Sequence, residues 1–121
     1  MMTKSSQPRK QRKFRYDAPM HLRRKFVHVH ISKELRAKLG LSARSTLVHK
    51  GDKIKIRTGE KKKHTGNVTR VDYSRSRLYV EGVVARNAKG VEKPMPVSPS
   101  NVEIIEGDFT KGTRAKMPRK K

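Results

Sequence analysis

Lys50 to Val71 reads KGDKIKIRTGEKKKHTGNVTRV, and the fold of the chain turns on this stretch. Ile54 and Ile56 alternate with Lys53, Lys55 and Arg57, and Val68 and Val71 mark a second short apolar run. Apolar residues at every second position make a strand with one buried face and one wet face. Between the runs lies a loop bounded by Gly59 and Gly66 and filled by Glu60, Lys61, Lys62, Lys63, His64 and Thr65. Glycine marks places where the backbone needs φ > 0 or passes close to another group, which makes Gly51, Gly59 and Gly66 structural candidates. The three-residue step from Val68 to Val71 breaks the alternation and predicts a bulge or sharp bend. The expectation is a small β element with a cationic loop at its tip.

Downstream, turn signals come regularly. Asp72 to Arg77 is a polar turn, and Leu78 and Val80 then face away from Tyr79 and Glu81. Val83 to Arg86 leads into Asn87, Ala88, Lys89, Gly90, a hairpin turn by composition. Val91 to Val97 contains Pro94 and Pro96, which remove ladder donors and place that strand at an edge or beside another chain. Ser98 to Asn101 is a one-turn step before a last strand, Val102 to Ile105. Five short strands so closely spaced predict a small barrel.

Upstream, Asp17, Ala18, Pro19 reads as a helix start, with Leu22, Phe26 and Val29 as a narrow apolar stripe and Arg23, Arg24 and Lys25 opposite. Val27 to Ile31 also alternates, so helix and strand compete there. Ser32 caps a second helix, Lys33 to Leu39, which Gly40 stops. Leu41 folds back on that helix, and Ser42 to His49 is a linker. Both ends are cationic. Met1 to Tyr16 has too little apolar surface to offset its ordering entropy and is expected to stay disordered until it meets a partner. The division is a basic arm at 1–16, a helical lead-in at 17–46, a barrel at 47–107 and a basic tail at 108–121.

The balance of charge narrows the function. Thirty-two Lys and Arg against ten Asp and Glu give a formal charge of +22 in 121 residues, with a pI near 11.1. Such self-repulsion favours binding a polyanion, and nucleic acid offers every cation a phosphate partner together with counterion release. Apolar residues are 32% of the chain, against roughly 45–50% in an ordinary domain, so the core is small. No amphipathic stretch has a long apolar face, so a membrane is the weaker partner. There is no cysteine, and the basic N-terminus is followed by no apolar signal core, which points to a cytosolic or nuclear chain.

Catalysis finds no support. The ten acids are scattered, and acid–base chemistry needs paired groups in an apolar setting. The Gly59 to Lys63 run lacks the G-K-[ST] ending of a phosphate loop. His21, His28 and His30 have no carboxylate or cysteine near them to complete a metal site, so neither metal, cofactor nor small-molecule substrate is expected.

The glycines and strands of Lys50 to Val71, continued by Leu78 to Val83, resemble the KOW motif, which occurs in ribosomal proteins and in transcription elongation factors. Flanking segments narrow the resemblance: APMHLRRKF, ISKELRAKLGLSARS, KGDKIKIRTG and VSPSNVEI follow in the order and spacing of the archaeal and eukaryotic form of the universal large-subunit ribosomal protein twenty-four family. It runs from about Arg9 to Ile105, and the short C-terminal segment is of the archaeal type. The alternative is a KOW module of a transcription elongation or chromatin protein. Elongation factors of that kind carry an α/β domain ahead of the barrel, for which the residues before the barrel leave no room.

The family implies a mainly β fold with an SH3-like barrel. It also implies binding to large-subunit rRNA near its 5′ end, a place by the polypeptide exit tunnel, a part in early subunit assembly and neighbouring ribosomal proteins as partners. The chain is expected to act as a monomer within the cytoplasmic ribosome. The expected RNA contacts on the arm are Arg9, Lys10, Arg12, Lys13 and Arg15, with Phe14 or Tyr16 stacking on a base. His21, Arg23, Arg24, Lys25, Arg44 and Lys50 follow on the lead-in and its linker. Lys53, Lys55, Arg57, Lys61, Lys62, Lys63 and His64 lie on the strand and loop, and Arg114 and Lys116 on the tail. Lys53, Lys55 and Arg57 are also readable as charges that keep an edge strand from pairing. One departure stands out: Lys63 occupies the place of a second loop glycine.

Overall fold

The computed structural model describes residues 3–120, so Met1 and Met2 of the expected arm and Lys121 of the expected tail lie outside the described residues. In chain order the elements are α1 (Pro8–Asp17), α2 (Met20–Arg23) running into a 3-10 turn (Arg24–Phe26), β1 (His28–Ile31), α3 (Lys33–Leu39) and β2 (Ser45–Leu47). They continue as β3 (Lys53–Ile56), β4 (Thr65–Asp72), β5 (Arg77–Arg86), β6 (Glu92–Val97), a 3-10 turn (Pro99–Asn101), β7 (Val102–Glu106) and α4 (Gly112–Ala115). The fold is mainly β. One mixed sheet runs in the order β2-β1-β7-β3-β4-β5-β6, with β1 and β7 parallel and every other pairing antiparallel. The order is open, with β2 and β6 at its edges.

The decisive stretch folds as its pattern requires. Ile54 and Ile56 are buried and Lys53 and Lys55 half-exposed, so β3 has one apolar and one wet face. β4 serves two neighbours: Thr65 to Asn67 pair with β3, and Val68 to Asp72 pair with β5, with a register shift between Val68 and Arg70. That shift is the bend expected from the three-residue apolar step. β5 bends further on, where Val80, Glu81, Gly82 and Val83 stand against Met95 alone, with Gly82 at φ 79°. Pro94 and Pro96 sit on edge strand β6, where a missing N–H costs no ladder bond.

The lead-in departs from expectation. His28 to Ile31 resolves as strand, with Val29 and Ile31 buried as is Val27 just before it, because β1 finds a parallel partner in β7 through His30 with Glu103 and Ile31 with Ile104. The stripe Leu22, Phe26, Val29 is therefore not one helix. The expected linker contains β2, which closes on β1 through Leu47, Thr46 and Ser45. Ser32 caps α3 as expected, its hydroxyl accepting from the Leu35 N–H at 3.2 Å, and Gly40 ends it at φ 63°. Leu41 is buried behind it.

Both ends are also more ordered than their composition suggests. Pro8–Asp17 is helical: proline opens the helix, good helix formers follow, and Ala18 leaves it with ψ 134° because Pro19 disfavours a helical residue before it. Asp17 closes this helix instead of capping the next. At the other end Phe109 and Arg114 are buried, so the segment after Gly107 is a strap across the sheet. The Pro118 carbonyl accepts from the Ser42 N–H at 3.0 Å and from its hydroxyl at 2.9 Å, and the Lys120 N–H reaches the Gly40 carbonyl at 2.7 Å.

Candidate nucleic-acid interface

The cationic side chains divide by what they touch. On α1, Arg9, Lys10, Arg12, Lys13 and Arg15 are all exposed, and the helix buries no residue. Several of these pairs fall at i, i+3 or i, i+4, where like charges destabilise a helix by a few tenths of a kcal/mol, about 0.2–0.5 each. Phe14 is half-buried, its ring meeting Phe26 edge-on at 6.4 Å, and the Arg15 guanidinium lies 5.1 Å from the Phe26 ring. Tyr16 is the exposed aromatic of this region, at 80%.

On the lead-in, Arg23 is partly spent on the backbone, donating to the Ala18 carbonyl at 2.8 Å and to that of Tyr16. It fixes the angle between α1 and α2. Arg24 lies 5.8 Å over the Tyr73 ring, while His21, Lys25, Arg44 and Lys50 keep solvent access. Arg70 stacks likewise on Tyr79, at 5.6 Å. Sequence reasoning passed over Arg70, Arg75 and Arg77; the signal available was a polar turn with arginines flanked by two tyrosines.

The row Lys53, Lys55 and Arg57 does not fit the edge-guarding expectation. β3 lies inside the sheet, so its charges guard no edge. Two of them meet carboxylates of β7, Lys53 with Glu106 at 3.7 Å and Arg57 with Glu103 at 3.6 Å, and Lys55 pairs in register with Glu103. These pairs are solvent-exposed in large part and worth about 0–1 kcal/mol each, so an arriving phosphate competes with them easily.

The loop after β3 is the clearest basic projection. Lys61, Lys62 and Lys63 are exposed. The turn is closed by Lys63 N–H to the Ile56 carbonyl at 2.8 Å and Ile56 N–H to the His64 carbonyl at 2.9 Å. Lys63 has φ 71°, so this lysine holds the left-handed backbone that a glycine would take without strain. At this position the loop carries a cation in place of a glycine. His64 is anchored to β5: its Nε2 bonds the Glu81 carbonyl at 2.9 Å and its ring packs on Gly82. Gly66 faces the same strand, where a Cβ would lie 2.7 Å from the Glu81 oxygen. Gly51 and Gly59 have φ 93° and 97°.

Arg114, expected among the RNA contacts, is a buried structural residue. Its guanidinium meets Asp52 through both terminal nitrogens, with Nη1 to Oδ1 at 2.9 Å, and donates to the Leu47 carbonyl at 2.7 Å and 3.2 Å and to that of Asp108 at 3.2 Å. The Phe109 ring covers it at 5.0 Å. Asp52 also accepts the His49 N–H at 2.8 Å. Burial, with Arg114 nearby, lowers the pKa of His49, and burial lowers that of His28. Lys116 alone of the two tail candidates faces solvent.

Residues 5–120 match the family that unites ribosomal protein L26 of eukaryotes with its archaeal L24 counterpart. The chain belongs to this family. The large ribosomal subunit protein uL24 of Methanocella arvoryzae is similar, with 44% identity over 106 residues, 88% of this chain and 84% of that protein. As a member of this ribosomal family the protein is a structural constituent of the large subunit of the cytoplasmic ribosome, and not an enzyme.

Proposed function

We propose that this protein binds large-subunit rRNA near its 5′ end through backbone phosphates, helps early subunit assembly and lies close to the polypeptide exit tunnel. It acts as a monomer there, beside neighbouring ribosomal proteins. In this reading 47–107 is an SH3-like KOW barrel, supported by the two-sided pairing of β4 and the bend of β5. The arm of residues 1–16 and the lead-in of 17–46 add cations to it, and the described part of the tail 108–121, residues 108–120, straps it while presenting Lys116. The phosphate contacts are the exposed cations of α1, the lead-in and the loop Lys61 to Lys63. Arg114 and His64 hold the shape that presents them.

One observation carries this reading. Against thirty-two Lys and Arg, the described residues contain four ion pairs, which engage Lys53, Arg57, Arg86 and Arg114. Most of the positive charge on the described residues meets no carboxylate and is left for an external anion, and RNA supplies phosphates in the density required. The experiment is a titration of an rRNA fragment from the 5′ part of the large-subunit RNA at several salt concentrations. Affinity should fall steeply with salt, and Lys61→Gln with Lys62→Gln should flatten the log–log slope by about 0.7–0.9 for each phosphate no longer neutralised. A salt-independent affinity overturns the reading.

A further inference from the structure

A cleft of about 350 Å³ lies between the N-terminal helices and the β4–β5 turn, with Arg12, Arg15, Tyr16, Arg23 and Phe26 on one wall and Arg75, between two serines, on the other. Its cations are all arginines, drawn from α1, α2 and the turn, and no carboxylate of the described residues lines it. Four guanidiniums around one cavity repel one another unless an anion enters; Arg12, Arg15 and Arg75 offer planar forks that fit phosphate oxygens, while Arg23, partly spent on backbone carbonyls, adds its charge.

Both walls are held in place before any ligand arrives. Arg23 is tied to the Ala18 and Tyr16 carbonyls. The turn is fixed by Asp72 Oδ1, which accepts the Ser74 N–H at 3.0 Å and the Arg75 N–H at 3.2 Å, and by Ser76 in the left-handed region at φ 52°. The two aromatics differ. Phe26 is occupied by Phe14 and Arg15, whereas among the described residues the Tyr16 ring meets neither another ring nor a guanidinium. The volume exceeds what a bare phosphate needs and suits a phosphate with a base attached. A paired base inside a duplex has no free face to offer Tyr16, whereas an unstacked one does.

We propose that this cleft seats one unpaired nucleotide of the bound RNA, its phosphate on the arginines and its base against Tyr16. The proposal rests on the rRNA-binding reading and adds a preference for a bulged or single-stranded nucleotide at this point.

The test uses the full chain and two RNA duplexes identical except for one bulged 2-aminopurine nucleotide. The bulged RNA should bind about tenfold or more tighter, the scale of one base–aromatic stack, and its fluorescence should change on binding. Tyr16→Leu should abolish the preference without altering the salt slope, Tyr16→Phe should keep it, and Arg75→Gln should weaken binding and lower the slope by about 0.7–0.9. Tyr16 and Arg75 are exposed, so neither change threatens the fold. Equal affinity for the two RNAs, with steep salt dependence for both, overturns the cleft proposal and leaves rRNA binding standing. Loss of salt dependence for both overturns rRNA binding itself. Adenosine monophosphate binding as tightly as the bulged RNA would make the cleft a free-nucleotide site and overturn the proposal as well.

Discussion

Replacing Arg114 by Met tests whether the C-terminal segment is a strap or a tail. The Arg114 side chain is 1% exposed and that of Asp52 5%, so the substitution leaves a buried carboxylate with only the His49 N–H as partner. Breaking a buried pair from one side costs about 3–5 kcal/mol, because the desolvated charge that remains has no counter-charge. The Leu47 and Asp108 carbonyls lose donors too, so the upper part of that range is expected. For a small domain this is a large share of a total of about 5–15 kcal/mol.

In urea titrations of the free chain at salt high enough to screen its own repulsion, a loss of about 4 kcal/mol with a slope of about 2 kcal/mol/M lowers the midpoint by about 2 M. The double variant Asp52→Asn with Arg114→Met removes the stranded charge while keeping an acceptor for His49. It should recover at least half of the loss. A surface arginine would behave otherwise: its removal would cost under about 1 kcal/mol and reduce the RNA salt slope. If Arg114→Met shows that second pattern, the buried clamp is refuted. Lys116→Gln is the control that should lower the slope without shifting the urea midpoint.

Gly66→Ala should destabilise the free chain by about 1–3 kcal/mol, read as a lower thermal midpoint, since its Cβ would meet the Glu81 carbonyl oxygen, at 2.7 Å, and Val80 Cγ1, at 3.1 Å. Lys63→Gly relieves a left-handed lysine but loosens the unfolded chain, so its stability should change by no more than about 1 kcal/mol. The same variant should lower the RNA salt slope, which separates the loop's shape from its charge. His28 and His49 have folded pKa values below the ordinary 6.5, so the unfolded chain binds more protons there. Their contribution to stability is full above that value and is lost as pH falls through the folded values. Urea midpoints taken from about pH 7.5 down to about 5.5 should fall, and His28→Gln with His49→Gln should reduce that fall.

The charge, the alternation of β3, the bend in β4, the proline-bearing edge strand and the caps of α3 were all legible from the chain alone. Each depends on residues within a few positions of one another. Tertiary structure decided what local pattern leaves open. His28 to Ile31 became a strand because β2 and, more than seventy residues later, β7 offer it partners. Lys53 and Lys55 proved to sit inside the sheet because β7 pairs with β3 on the side away from β4. Arg114 looked like one more cation in a basic tail, and only its meeting with Asp52, 62 positions away, makes it a core residue. Composition reports how many charges a chain carries; which of them are buried, paired or left for RNA depends on long-range contacts that no short window of sequence contains.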